Sequence, residues 1–265
     1  MLLFFYKFCL TSFTIIQFFD IMKLLSERNV FMKLLVSDFD GTLFIDYPSL
    51  EKNIHAIQRF REEGNLFVIN SGRNYTSLMK EIKQYQIPYD YLICIDGSKI
   101  FDSKGNEISS ITIDSSISVE LFQKLIASGV TNEVYFDDGY QLFPRPITKP
   151  NSIIARYYNS EMAERILQEL VQNYPEIDGY LSAHWINITS SKSNKAVGIR
   201  LLYEAEHLSP THIYTLGDGN NDLSMIREFE GYTVQNANAK LSPYSRGSFA
   251  SLADFFEYIK QKGSN

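Results

Sequence analysis

The sequence predicts an α/β protein: a doubly wound parallel sheet whose chain is interrupted by a smaller α+β insertion. Three observations predict it. From Met32 to about Ile95 short apolar runs alternate with amphipathic stretches, the rhythm of a parallel sheet covered on both faces. Between about 114 and 189 helical stretches and hairpin-like stretches segregate instead of alternating. After Ser190 the first rhythm resumes.

The elements follow in order. Lys33–Ser37 is a short apolar run ending in carboxylates, a buried first strand. Ser49 is placed to cap a helix running to about Glu62, with Leu50, Ile54, Ile57 and Arg61 on one stripe and Gly64 ending it. Leu66–Ile69 reads as a second strand, Tyr75 to Tyr85 as a helix, and Tyr91–Ile95 as a third strand. Ser98–Glu107 is a hairpin turning at Ser103–Asn106, Ile117–Ser128 a helix, and Glu133–Phe143 a hairpin around Asp138-Gly139. A proline-rich link, Pro144 to Pro150, precedes a helix over about Glu161–Asn173, and Gly179–Thr189 reads as one strand. The last part gives a helix from about Asn194 to His207, a strand at His212–Leu216 and a helix at Asp222–Phe229. A strand at Tyr232–Val234 and a helix at Leu252–Lys262 complete the chain. The expected organisation is a core of residues 32–113 and 190–265 split by an insert at 114–189.

Composition narrows the function. With 45% apolar and 21% charged residues the chain is neither disordered nor fibrous. Net charge is −6 and no basic run of five or more occurs, so no nucleic-acid partner is expected. Two cysteines, Cys9 and Cys94, exclude a disulfide framework and suit a reducing, cytoplasmic setting. Residues 1–31 read differently from the rest. Their uninterrupted apolar stretch, Phe8 to Phe19, is 12 residues, short of the roughly 20 that span a bilayer. They also lack a signal-peptide pattern. Met32 opens the first strand, so residues 1–31 are expected to be an upstream mis-start or an N-terminal extension, with a weak membrane or interfacial anchor as the alternative, and no membrane partner is expected.

The chemistry concentrates at strand ends. Asp38-Phe39-Asp40-Gly41-Thr42-Leu43 follows the first strand, and Gly217-Asp218-Gly219-Asn220-Asn221-Asp222 follows a later one. Ligands of open parallel sheets bind outside the carboxyl ends of their strands. Either cluster alone could be a turn rich in Asp and Gly; both in the same topological position would converge. Two carboxylates 4 Å apart repel by about 4 kcal/mol at an effective dielectric of 20, so convergence calls for a cation. An all-oxygen acidic set favours Mg²⁺. The four histidines lack zinc-ligand spacing, and an EF-hand fails at Leu223 and Phe229. Ser71-Gly72-Arg73, between a strand and a helix, could hold an anion or simply cap the helix. Lys195 stands where the chain re-enters the core, with Lys192 a nearby competitor.

In this order these motifs resemble the haloacid dehalogenase superfamily, most nearly the Cof-type phosphatases with a C2-type cap, over nearly the whole chain from Met32. The later Gln235-Asn236-Ala237 fits the same pattern. The resemblance implies a Rossmann-like core and an inserted α+β cap. It further implies a Mg²⁺-dependent phosphatase acting on small phosphorylated metabolites, with sugar phosphates expected, as a monomer or weak homodimer. Asp38 would be the nucleophile that becomes an aspartyl-phosphate, and Asp40 the general acid and then base. Asp38, the backbone carbonyl of Asp40 and Asp218 would hold the metal, with Asp222 ordering its shell. Ser71, Gly72, Asn221 and Lys195 would bind the phosphoryl group. Departures from the pattern are Asp96-Gly97-Ser98 in place of Asn-Gly-Ala, Ala196 in place of Gly, and Asn187 where an acidic residue is common. Tyr135, Asp137, Asp138, Tyr140, Arg145, His184 and Trp185 are the candidate leaving-group contacts in the cap. Two other readings keep the same fold: a phosphomutase resembling phosphomannomutases, and a non-catalytic binder of a metabolite or protein.

Overall fold

The computed structural model of the chain describes residues 32–131 and 133–262; the expectation for residues 1–31 lies outside them. The first strand, β1 (Lys33–Ser37), is inaccessible along most of its length, as its run of Leu34, Leu35 and Val36 dictates. It is followed by α1 (Tyr47–Glu62), β2 (Leu66–Asn70), α2 (Tyr75–Tyr85), β3 (Tyr91–Cys94), β4 (Lys99–Asp102) and β5 (Glu107–Ser110). The insert contributes α3 (Ser115–Ala127), β6 (Val134–Asp137), β7 (Leu142–Phe143), β8 (Ser152–Arg156), α4 (Ser160–Asn173), β9 (Ile177–Ser182) and β10 (Trp185–Ser190). The chain then returns as α5 (Lys195–Ala205), β11 (His212–Gly217), α6 (Leu223–Glu228), β12 (Glu230–Val234), β13 (Ser248–Phe249) and α7 (Leu252–Lys262).

The main sheet has the order β13-β12-β11-β1-β2-β3-β4-β5. Its strands are parallel from β13 to β3, and β4 and β5 add an antiparallel edge. Strand order reverses at β1, which pairs with β2 on one side and β11 on the other. That reversal opens a crevice at the carboxyl ends of β1 and β11. Each face of the sheet carries its own apolar cluster: Leu35, Phe67 and Leu92 with α1, α2 and α7 on one side, and Leu34, Val68 and Ile93 with α5 and α6 on the other. A second, antiparallel sheet, β7-β6-β8-β10-β9, buries Phe136, Ile153 and Ile188 against α3 and α4.

Four local features differ from the sequence expectation. Asp46, not Ser49, caps α1: its carboxylate accepts the Ser49 amide at 2.7 Å, and Pro48 sits in the first turn. Arg61 lies off the apolar stripe and forms a two-pronged pair with Asp90, at 2.9 and 2.7 Å. Gly179–Thr189 is not one strand but the hairpin β9–β10, turning at Ala183, whose φ is +53°. No Gly, Asn or Asp marks that left-handed position. β8 and β13 are additional strands; β8 is a short buried run, Ile153 to Ala155, at the centre of the second sheet.

The insert rests on the core through its turn after β6. Gly139 O accepts the Tyr75 amide at 2.9 Å, Asp138 O accepts from Lys99 Nζ at 2.8 Å, and Asp137 accepts from Asn74 Nδ2 at 2.9 Å. Among the described residues no helix is long and apolar enough to cross a membrane.

Candidate active site

Four strand ends meet at the crevice: Asp38 follows β1, Ser71 follows β2, Asp96 follows β3 and Asp218 follows β11. The Asp38 amide donates to Leu216 O at 2.9 Å, so the chain keeps sheet geometry one residue beyond β1 before it turns. The turn needs Gly41, whose φ is +81°. A Cβ there would lie 2.6 Å from an Asp218 carboxylate oxygen. Thr42 Oγ1 donates to Asp218 Oδ1 at 2.6 Å, and Asn236 Nδ2 holds Gly41 O at 2.8 Å. The two acidic motifs are thus tied to each other directly, and the Gln235-Asn236-Ala237 segment ties down their turn.

Asp222 is fully buried. Its Oδ2 accepts the amides of Asp218 and Gly219 at 2.8 and 2.7 Å, closing the loop after β11. Its Oδ1 accepts from Lys195 Nζ at 2.6 Å, and Lys195 also donates to Asp38 Oδ1 at 2.5 Å. Asn194 caps α5 by accepting the Val197 amide at 3.0 Å, which places Lys195 in the first turn. That turn is seated by a glycine pair. A Cβ on Gly198 would lie 2.7 Å from the Gly97 Cα, and one on Gly97 would lie 2.1 Å from Asn194 O. Burial opposes the Lys195 charge, but the carboxylates of Asp222, Asp38 and Asp96 outweigh it and hold the ammonium above its usual range. Burial raises Asp38 well above the usual carboxylate range, with Asp222 and Asp218 adding to the rise and Lys195 opposing it. Asp218 is raised too, by burial first, against the Thr42 hydrogen bond.

Asp38, Asp218 and Asp222 offer oxygens that all lie within 4.8 Å of one another. Lys195 neutralises only one of these three charges. A compact, all-oxygen, acidic donor set is the chemistry that hard divalent cations select, and the residues therefore fit Mg²⁺.

The remaining expected residues stand around this centre. The Ser71 hydroxyl is buried and accepts the Arg73 amide at 3.2 Å, leaving its own proton to give. Gly72 lines the same wall; a Cβ there would lie 3.0 Å from the Tyr180 hydroxyl. Asn221 Nδ2 donates to Asp96 Oδ1 at 2.8 Å. Asp40 stands apart from the acidic cluster. Its half-exposed carboxylate takes two hydrogen bonds from Arg73, both 2.7 Å, and the guanidinium also lies over the Phe39 ring.

Of the insert residues singled out from sequence, none bonds a motif side chain among the described residues. Asp137 accepts from Asn74 and from the Gly139 amide, and Asp138 accepts the amides of Tyr140 and Gln141 in its own turn. Tyr140 packs on Lys99, Tyr75 and Phe101, Trp185 lies under Arg156, and Arg145 is exposed. An insert residue that does reach the site is Tyr180 on β9, whose hydroxyl donates to Asp96 Oδ2 at 2.8 Å. Its position could not be read from a segment taken as one continuous strand. A cavity of about 290 Å³ opens beside Lys195, lined among others by Asp96, Asp178, Tyr180, Asn221 and Arg227.

Comparison with known proteins finds matches over most of the chain. A family profile described as haloacid dehalogenase-like hydrolase matches residues 35–164 and 140–248. The 5-amino-6-(5-phospho-D-ribitylamino)uracil phosphatase YitU of Bacillus subtilis is 25% identical over 237 residues, covering 77% of this chain and 86% of that protein. Among solved structures, the phosphatase BT1666 of Bacteroides thetaiotaomicron superposes with a TM-score of 0.73 at 17% identity, over 89% of this chain and 96% of that one. The subclass IIB sugar phosphatase BT4131 gives 0.72 at 17% identity, over 88% and 99%.

Proposed function

The chain belongs to the haloacid dehalogenase-like hydrolases, and on that premise we propose that it is a Mg²⁺-dependent phosphatase of small phosphorylated metabolites, sugar or sugar-alcohol phosphates foremost. The observation that carries this reading is the fully buried Lys195 ammonium bridging Asp38 and Asp222, at 2.5 and 2.6 Å, with Asp218 beside them. Relatives of this chain are named for phosphatase activity, one of them on a phosphorylated ribityl compound.

In this reading residues 114–189 are a cap that closes the crevice and excludes water. Asp38 attacks the phosphorus in line, the ester oxygen leaves, and an aspartyl-phosphate forms. The covalent route divides one difficult displacement into two easier ones. Ser71 and Lys195 hold the phosphoryl oxygens, and Asn221 assists. A cation held by Asp38, the Asp40 carbonyl and Asp218, with Asp222 ordering its shell, would offset charge on the transferred group. Asp40 gives its proton to the leaving oxygen and later takes one from the water that attacks the phosphorus, which breaks the bond to Asp38 and frees phosphate and the carboxylate. In the structure the Asp40 carboxylate is held by Arg73, so it must leave the guanidinium to act.

A phosphomutase must also seat a second phosphate. The cavity beside Lys195 presents two carboxylates, Asp96 and Asp178, against one guanidinium, Arg227, which favours hydrolysis. The test is phosphate release from a panel of phosphorylated metabolites by the full chain, with Mg²⁺ and with EDTA. Release is expected only with Mg²⁺, to vanish in Asp38→Asn and to fall roughly 10²–10⁴-fold in Asp40→Asn. A requirement for a bisphosphate activator would favour the mutase. An Asp38→Asn protein equal to wild type would leave the binder.

A further inference from the structure

We propose that Asp96 is a specificity-determining carboxylate, resting on the phosphatase reading: held by Tyr180 and Asn221, it accepts a hydrogen bond from a hydroxyl or amino group of the leaving alcohol and turns away leaving groups that carry a second anion. The placement comes first. Asp96 lies at the carboxyl end of β3, and its amide donates to Ser71 O at 3.1 Å. Its carboxylate faces Gly72, where a Cβ would lie 3.3 and 3.4 Å from the two oxygens. It therefore stands against the Ser71–Gly72 wall and lines the cavity that opens beside Lys195.

The backbone is forced into this position. Ile95, Asp96 and Gly97 have consecutive positive φ values of +48, +50 and +93°. For a β-branched residue such as Ile95 this conformation is strained. Three hydrogen bonds maintain it: Ile95 N to Arg73 O, Asp96 N to Ser71 O and Ser98 N to Ile95 O.

The carboxylate is then left with capacity to spare. Asp96 is buried, and among the described residues no cation forms an ion pair with it. Oδ2 accepts from the Tyr180 hydroxyl and Oδ1 from Asn221 Nδ2, both at 2.8 Å. A carboxylate has about four acceptor positions, so about half remain for a ligand. Both partners are neutral. Burial, and then the Asp96 charge itself, push the Tyr180 phenol well above its usual range, so it stays a donor. The cavity these groups line is about 290 Å³, in the range of small-molecule sites. Asp178 lines it as well, so two carboxylates face a ligand against the Arg227 guanidinium, the Lys195 ammonium being already paired with Asp38 and Asp222. A neutral polyol brings hydroxyl donors that the free lone pairs can use; a carboxylate or second phosphate brings none.

The test compares two monoesters of one skeleton, glycerol 3-phosphate and 3-phosphoglycerate, which differ by a hydroxymethyl group against a carboxylate. Steady-state kcat/KM is measured with Mg²⁺ on the full chain and on Asp96→Asn, with p-nitrophenyl phosphate as a general phosphatase control. Wild type is expected to favour glycerol 3-phosphate at least tenfold. Asp96→Asn removes the charge, and the Asn221 amide can turn to accept from the new carboxamide, so the ratio is expected to fall at least tenfold. A ratio unmoved in a variant with a cooperative thermal melt overturns the proposal. So does a wild-type preference for 3-phosphoglycerate, which needs no variant to read. Release from none of the three substrates would end the phosphatase reading and this proposal with it, whereas release with an unchanged ratio ends the proposal alone.

Discussion

Replacing Lys195 with Met removes the one cation at the centre of the site while keeping much of its length and packing. In the folded protein the Asp38 and Asp222 oxygens bridged by Nζ belong to a set lying within 4.8 Å of one another. At an effective dielectric near 20, two like charges at that distance repel by roughly 3 kcal/mol. Taking away one partner of a buried ionic group typically costs about 3–5 kcal/mol, because the charges left behind are neither hydrated nor paired. For a protein of this size 1 kcal/mol moves the midpoint by about 2–4 °C. Lys195→Met should therefore melt on the order of 10 °C below wild type in EDTA at pH 7.5, read by circular dichroism. The sign of the pH dependence follows from the carboxylates. Asp38 already sits above its unfolded pKa with the ammonium present, and losing the ammonium raises it further. The folded variant thus holds protons more tightly than wild type, and its deficit narrows as pH falls toward 5. Millimolar Mg²⁺ should narrow it at pH 7.5 as well. A variant melting within about 2 °C of wild type in EDTA would refute the view that the ammonium compensates this cluster.

Three further outcomes follow. Burial pushes Asp137 up to about 6, against the hydrogen bonds from Asn74 and Gly139. Its folded pKa thus exceeds the unfolded value, and its contribution to stability falls by roughly 3 kcal/mol as pH climbs from about 4 to about 6. Asp137→Asn should cancel that fall, so the difference between variant and wild-type denaturation curves changes by this amount between pH 4 and 7.5; parallel pH profiles would contradict it. Gly198→Ala drives a Cβ to 2.7 Å from the Gly97 Cα and should cost about 1–3 kcal/mol in urea denaturation, with kcat falling as α5 carries Lys195 out of register. Mg²⁺ should raise the wild-type melting midpoint over that in EDTA, and Asp218→Asn should lose most of that increment.

How far the sequence could be read depended on whether each signal was local. The central strands of the main sheet are largely buried, so β1, β3 and β11 appear as apolar runs with carboxylates after their ends and lie within a residue of where those runs place them. The acidic motifs are legible for the same reason: Asp38 and Asp218 must follow parallel strands to meet, and a strand end is visible in one dimension. The insert is harder. β8 contributes only Ile153, Ile154 and Ala155 between polar neighbours, too short a run to declare a strand. The β9–β10 turn uses Ala183 at positive φ, where no turn residue announces it, and a hairpin reads as a single strand.

That missed turn is also why Tyr180 stayed hidden. Within an unbroken strand from 179 to 189, Tyr180 has no reason to differ from its neighbours. In the hairpin it pairs with Asn187 and stands over the Ser71–Gly72 wall. Asp96 was visible only as a residue of unexpected type after β3, and its meaning needed both the left-handed turn and the partner on β9. On the proposed reading, the residues fixed by the sheet's own topology carry the reaction, whereas Tyr180, which needs the insert's tertiary pairing, acts with Asp96 in the choice of substrate. A substitution at Tyr180 should accordingly change the order of preferred monoesters more than it changes the dependence on Mg²⁺. Kinetics of Tyr180→Phe across neutral and anionic substrates, titrated with Mg²⁺, would separate the two. A parallel loss on every substrate with a shifted Mg²⁺ requirement would place Tyr180 in the metal-dependent machinery instead.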